Sequence, residues 1–129
     1  GAPGIALARA AALGVHDDAE TRAELLRALA ATRSLPDTER DHLCCGNLGR
    51  ADVLLRAGEA LGDAALRREA RALGRRAVRR AERRGGEFSH TPPGSEGFHV
   101  SLMWGAAGVG YALLRLAHPE LLPSVLLLE

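Results

Sequence analysis

The feature that most constrains the fold of this chain is a Gly-x-x-Gly motif that occurs three times. The copies begin at Gly1, Gly46 and Gly105, which are 45 and 59 residues apart, and each opens a nearly all-apolar segment. Such intervals lie within or near the range of stacked helical hairpins. A more charged, amphipathic segment lies between successive copies, and helices with one polar face suit an outer position around fully apolar ones. The pattern therefore predicts an all-α fold with two concentric helix layers, part of an α/α toroid.

Composition and local signals predict about five main helices. Only 3% of the residues are aromatic, and Ala and Leu, which favour helices, supply most of the apolar mass. The β-branched residues that favour strands are scarce. The expected helices are Ile5–Leu13, a second opened by Asp17, Leu48–Leu61, a fourth capped by Asp63, and Ala106–Ala117.

Two of these helices have a predicted core face. Asp17 with Glu20 three residues later resembles a capping box, and the inner face of that helix is predicted to carry Leu25, Leu26, Leu29 and Ala30. The fourth helix has apolar residues at helical spacing. These are Leu66, Ala70, Leu73, Ala77 and Ala81.

The remaining segments predict a surface loop and a docked tail. Residues 85–97 are rich in Gly, Pro, Ser and Glu, whereas 121–128 is too apolar to stay in water.

Gly97–Leu114 lacks charged residues but contains four glycines and no interfacial anchors, so no membrane span is predicted. The chain opens with no secretory signal, so a cytoplasmic location is expected. A net charge of +1 gives no overall field that would attract nucleic acid.

The adjacent Cys44 and Cys45 are the main candidates for chemistry. A disulfide between neighbours is strained, so free thiols are expected. A helix start favours thiolate, the form that binds zinc, and Gly46 gives the backbone the freedom to turn both sulfurs toward one metal. The alternative is that both are buried, inert hydrophobes, as free cysteines often are.

These motifs together resemble the lanthionine synthetase C-like family. The resemblance rests on Gly1–Ile5, on Leu43–Gly49, and on Gly105–Tyr111 followed by Leu113–Ala117. The closing Pro123–Glu129 is similar to the end of class II, LanM-type lanthipeptide synthetases. Residues 1–129 are accordingly expected to be a C-terminal fragment of the cyclase domain, an incomplete toroid.

The resemblance implies a catalytic zinc and a thioether-forming reaction. Cys44 matches the Cys of the family's Cys-His pair, and Cys45 stands where His is usual, as in a subgroup that binds zinc through three cysteines. The third cysteine and the catalytic acid and base are expected upstream of Gly1, so no catalytic residue is assigned here. The substrate would be a ribosomally made, dehydrated precursor peptide, whose Cys thiolate adds to dehydroalanine or dehydrobutyrine to form lanthionine rings.

Three other side chains are weaker candidates for contact with ligands or substrate. His42 could substitute as a metal ligand or support the other ligands, although an exposed loop histidine is the expectation. His99 could face the centre of the toroid. Trp104 precedes Gly105 as Cys45 precedes Gly46, and either core packing or substrate contact fits it.

Two rival functions follow from other features. Residues 67–84 contain nine Arg and two Glu, and such a basic helix could bind nucleic acid or an acidic peptide. The arginines lie on all outward faces without aromatic neighbours, so a solvated outer helix is favoured. A non-catalytic helical repeat scaffold is the other alternative. Whichever function applies, an incomplete ring would expose its first and last hairpins, so self-association is expected.

Overall fold

Five α-helices form the part of the chain described by the computed structural model, residues 1–89 and 99–127, and no strand occurs in it. The predicted all-α class is therefore confirmed. The helices are α1 (Ala2–Ala12), α2 (Ala19–Arg33), α3 (Asn47–Ala60), α4 (Ala64–Arg83) and α5 (Ala106–Ala117).

The helices form two layers, as the glycine motif predicted. α1, α3 and α5 lie side by side, while α2 packs on α1 and α4 packs on α3. α3 is buried on nearly every side, whereas α4 buries one face and carries arginine on the others. Gly1, Gly46 and Gly105 are the N-cap residues of the three inner helices. This arrangement is that of part of an α/α toroid.

The predicted start and inner face of α2 were partly wrong. Asp18, not Asp17, is the N-cap, and its Oδ1 accepts from the Thr21 amide at 2.9 Å. Asp17 instead pairs with Arg22. Leu25 and Leu29 are buried as predicted, but Leu26 and Ala30 are exposed. Ala28 and Thr32 complete the buried face of α2, which packs on α1.

The predictions for α4 and α5 were confirmed. Asp63 caps α4, where its side chain accepts from the amides of Ala65 and Leu66. All five predicted core residues of α4 are buried. α5 has the predicted bounds. None of the helices in the two described ranges is long and apolar enough to cross a membrane.

The end of the described chain docks on the inner helices, as predicted for the apolar tail. Residues 125–127 pack against the core, and Ser124 is buried. Ser124 Oγ donates to Asp52 at 2.5 Å, and Asp52 also accepts from the buried Arg115 at 2.6 Å. Leu121 is exposed, and residue 128 lies outside the described ranges, as do residues 90–97 of the predicted loop.

Close backbone contacts explain why glycine opens α3 and α5. A Cβ on Gly49 would lie 1.9 Å from the Leu43 carbonyl oxygen, and one on Gly108 would lie 1.7 Å from that of Leu102. Neither neighbour is the end of a flexible side chain, so a larger residue would have to displace backbone. The loops before α3 and α5 thus fold back tightly onto their own helices.

We predict that Gly49→Ala and Gly108→Ala each lower the free energy of unfolding by about 3 kcal/mol or more. Gly110→Ala is the matched control, because a Cβ there meets no described atom within 4 Å. It should leave stability unchanged or raise it by up to about 1 kcal/mol, the helix preference for Ala. Urea unfolding followed by circular dichroism measures all three. Equal stability of the Gly49 and Gly110 variants would contradict the close contact.

Candidate functional site

Cys44 and Cys45 lie in the turn directly before Gly46, the N-cap of α3. Both are exposed and neither forms a disulfide. The expectation of free thiols is therefore met, and the alternative of two buried hydrophobes is not. The Cys44 amide donates to the Met103 carbonyl oxygen at 3.0 Å, which joins this turn to the one before α5.

The two cysteines line a cavity of about 660 Å³ between α1 and α3. Its apolar wall includes Leu7 of α1, Val53 of α3 and Leu126 of the docked C-terminal segment. Gly1 lies on the same cavity. A peptide that reaches the thiols would therefore meet an apolar surface beside them.

His42 is fully buried, which corrects the expectation of an exposed loop residue. Its Nδ1 accepts from the Cys45 amide at 3.3 Å, and its ring centroid lies 4.4 Å from that of Trp104. Trp104 is half-buried and lies in the loop before α5. This burial could not be predicted from the residues around His42, because the ring that packs on it comes from far along the chain. His42 supports the cysteine turn, and its Nδ1 is already engaged by that amide.

The outer helix α4 forms ion pairs with the acidic segment, residues 37–41, that precedes the cysteines. Two arginines of α4 and the arginine at its C-cap contact three acidic residues within positions 37–41. Asp41 is fully buried and also accepts from the Asn47 side chain at 2.9 Å. The ion pairs are Arg76–Asp37, Arg80–Asp41 and Arg84–Glu39.

These ion pairs give the basic helix a structural role that sequence reasoning missed. The spacing of Arg76, Arg80 and Arg84, every fourth residue, marks one side of the helix and was a signal in the sequence, but it does not indicate which acid each arginine contacts. Two further arginines of α4 also make internal contacts: Arg67 donates to the Gly58 carbonyl oxygen, and Arg71 donates to the Leu116 carbonyl oxygen. Much of the positive charge of α4 is therefore used within the fold.

The pKa of the Cys44 thiol is raised by partial desolvation and by the neighbouring Cys45. This corrects the expectation that the helix start stabilises thiolate here. The amides of the two cysteines themselves donate elsewhere: that of Cys44 to Met103 and that of Cys45 to His42. A bound cation beside the sulfurs would stabilise their thiolate form.

Two adjacent sulfur donors suit zinc and would fill two of its four positions. Among the residues that the structure describes, no three His, Cys, Asp or Glu side chains form a group that could hold a metal. His99, the other histidine candidate, is half-buried in the loop before α5, and its carbonyl oxygen accepts from the Ala106 amide at 2.8 Å. The described residues therefore offer a partial metal site.

The chain is similar over almost its whole length to one known protein family. The family model described as lanthionine synthetase C-like protein matches residues 1–127. No curated protein and no solved structure matches the chain. The matched range includes the cysteine turn and all three glycine-opened helices.

We predict that Asp37→Asn loosens the cysteine turn and destabilises the fold. Hydrogen bonding to Arg76 holds the pKa of Asp37 below its usual value, so this stabilisation is complete above about pH 4 and is lost as the pH falls through the lower, folded-state pKa. The side chain is partly exposed, so at neutral pH the loss should be about 1 kcal/mol or less. Urea unfolding at neutral and acidic pH measures it, and the variant should differ from wild type only at neutral pH.

Asp17→Asn is the matched control for Asp37→Asn. Asp17 also has a pKa lowered by an arginine, Arg22, but that pair lies at the start of α2. The rate at which iodoacetamide alkylates the cysteines should rise in the Asp37 variant and stay unchanged in the Asp17 variant. Equal rates in both would show that the ion pairs of Asp37, with Arg76 of α4 and Arg50 of α3, do not hold the turn.

We predict that His42→Leu raises the alkylation rate at Cys45 and lowers stability by about 1–3 kcal/mol, because a part-buried amide loses its acceptor. His42→Asn, which can present an oxygen near the position of Nδ1, should retain more of both properties. His118→Leu, at an exposed histidine, should change neither. Peptide mass spectrometry resolves alkylation at the two cysteines. Identical behaviour of the Leu and Asn variants at position 42 would mean that the acceptor is unimportant.

Proposed function

This chain belongs to the lanthionine synthetase C-like family, and we propose that it is the C-terminal part of the cyclase domain of a class II, LanM-type lanthipeptide synthetase. The parent enzyme would join peptide cysteines to dehydrated residues as thioether rings. The observation that carries the proposal is the pair of exposed thiols on a fixed turn beside an apolar cavity. A binding scaffold would need no such pair.

Cys44 and Cys45 would hold a zinc ion together with a third cysteine upstream of Gly1. When bound, zinc lowers the pKa of a peptide thiol at its open position, so that the thiol reacts as thiolate at neutral pH. A reducing cytoplasm would keep both protein thiols free. We thus propose both a cytoplasmic location and a bound zinc ion.

The reaction itself needs a positioned thiolate and a proton donor. The peptide sulfur forms a bond to the β-carbon of dehydroalanine or dehydrobutyrine, and the α-carbon then takes a proton from an acid. The thiol loses one proton before the attack and the α-carbon gains one after it. The ring product therefore has the same composition as the linear substrate. No residue of this chain is assigned as the acid.

The residues of this chain would hold and shield the reacting groups. His42 and the α4 ion pairs fix the turn that carries the two sulfurs. Leu7, Val53 and Leu126 give the cavity an apolar wall, which would receive the dehydrated peptide and exclude water from the thiolate. Exclusion of water strengthens the electrostatic interactions inside such a site.

The choice of Cys at position 45, where relatives usually have His, would change the charge of the site. Three protein thiolates and a divalent ion sum to −1, whereas two thiolates and a neutral His sum to zero. The extra negative charge should make the bound peptide thiolate more nucleophilic and the enzyme less selective for ring size.

We predict that, in a longer protein carrying the residues before Gly1, Cys44→Ala and Cys45→Ala each abolish zinc binding and cyclisation. Cys45→His should keep zinc but slow cyclisation. Arg68→Ala, at an exposed position of α4, is the control and should behave as wild type. Elemental analysis measures zinc, and N-ethylmaleimide counts unreacted peptide cysteines, since ring closure leaves the mass unchanged. A zinc-free wild type, or rings formed normally without both cysteines, would refute the proposal.

A further inference from the structure

A groove with a volume of about 510 Å³ lies between the outer helix α4 and the inner helix α5. The two helices touch where a Cβ on Gly74 would lie 2.7 Å from Cδ1 of Leu116. The groove beside this contact is lined by Val78 and Leu113, both half-buried, and by the exposed Ala117. This α4–α5 groove therefore offers an apolar surface outside the cysteine site.

Three arginines of α4, spaced one helical turn apart, form the basic side of this groove: Arg71, Arg75 and Arg79. Arg75 and Arg79 are exposed, and the side chain of neither forms an ion pair or a hydrogen bond with the described part of the chain. Arg76 and Arg80, by contrast, form the ion pairs that hold the cysteine turn. Positive charge therefore remains on the groove side of α4, next to an apolar surface.

We propose that the α4–α5 groove binds an acidic, amphipathic helix of a partner protein. Apolar side chains at helical spacing would contact Val78 and Leu113, and two carboxylates one turn apart would pair with Arg75 and Arg79. Such a helix matches both the apolar and the basic part of the surface. The inference goes beyond the proposed function and does not rest on it, because the groove includes neither cysteine and needs no metal.

The charges along the groove set the direction of the bound helix. Arg71 and Glu82 both line the groove and lie about three helical turns apart on α4. Carboxylates of the partner are attracted by Arg71, Arg75 and Arg79, and they are repelled by Glu82. The matching helix therefore carries its acids toward the Arg71 end and a basic or neutral residue toward Glu82.

Two other classes of occupant fit this surface less well. Nucleic acid is held by phosphate contacts and by stacking on aromatic rings, whereas the described lining has no aromatic residue and includes Glu82. A second copy that docked through the same groove would place Arg75 and Arg79 of one chain against those of the other. Like charges brought together in this way oppose the contact.

The test uses a fluorescein-labelled helical peptide of about four turns. It has leucines at helical spacing on one side, glutamates beside them, and a lysine at the end that would face Glu82. The control peptide keeps the leucines and exchanges every glutamate for lysine and the lysine for glutamate. Fluorescence anisotropy measures binding to the chain, with a chelator present so that metal does not contribute. The acidic peptide should bind at least about tenfold more tightly than the control, and equal affinity would overturn the proposal.

Charge reversal in the groove gives the second readout. Arg75→Glu combined with Arg79→Glu should weaken binding of the acidic peptide by about tenfold or more, because two attractive pairs become repulsive. Arg68→Glu combined with Arg83→Glu is the matched control, since both positions are exposed on α4 outside the groove and the net charge changes equally. The control should weaken binding by about twofold or less. Equal losses in the two double variants would show that only the overall charge attracts the peptide, and would refute the proposed site.

Methyl NMR of the unmodified chain locates the bound peptide without any variant. The acidic peptide should shift the signals of Val78 and Leu113 and leave those of Leu26, an exposed leucine of α2, unchanged. Equal shifts at Leu26 would show non-specific adhesion. Tighter binding of a single-stranded oligonucleotide than of the acidic peptide would assign the groove to nucleic acid, and loss of self-association in the Arg75 and Arg79 double variant would assign it to a second copy. Each of these three results would contradict the proposal.

Discussion

The structure depends on backbone carbonyls packed directly onto glycines at the starts of the inner helices. The Leu43 oxygen occupies the space that a Cβ on Gly49 would need, and the Leu102 oxygen does the same at Gly108. This contact turns the chain back just before the helix begins. Two cysteines placed in that turn are thereby held at the surface of a cavity between the inner helices. The motif that organises the fold is thus also the motif that presents the thiols.

The outer layer contributes to the site as well as to the fold. α4 covers α3 with one apolar face, and a neighbouring row of arginines reaches past α3 to the acidic segment before the cysteines. Asp41 is buried completely and would be costly to leave unpaired, so its contacts with Arg80 and Asn47 hold that segment in one position. The cysteine turn is therefore supported from its own helix, from α4 and from the adjacent loop.

The layers, most helix bounds and the core face of α4 could be predicted because each depends on local spacing. The sequence does not show whether Asp17 or Asp18 is the N-cap of α2, because either of two adjacent acids can accept from the first amides of a helix. In the structure Asp17 pairs with Arg22, and Asp18 is the N-cap. The burial of His42 depends on Trp104, and the pKa of Cys44 is raised first by the desolvation that comes with packing of the turn in the folded chain. These features arise from contacts between distant segments, which periodicity does not encode.

The C-terminal segment shows how charge, rather than apolar packing alone, can define one wall of the cavity. Arg115 is buried between Asp52 and Glu59 of α3 and donates to the Leu122 carbonyl oxygen, while Ser124 donates to Asp52. A buried arginine is tolerated only when its donors are matched, and one register of the segment satisfies all of them. A shift by one residue would remove Ser124 from Asp52 and move Leu126 away from the cysteines. We therefore infer that this buried network sets the shape of the cavity beside the thiols.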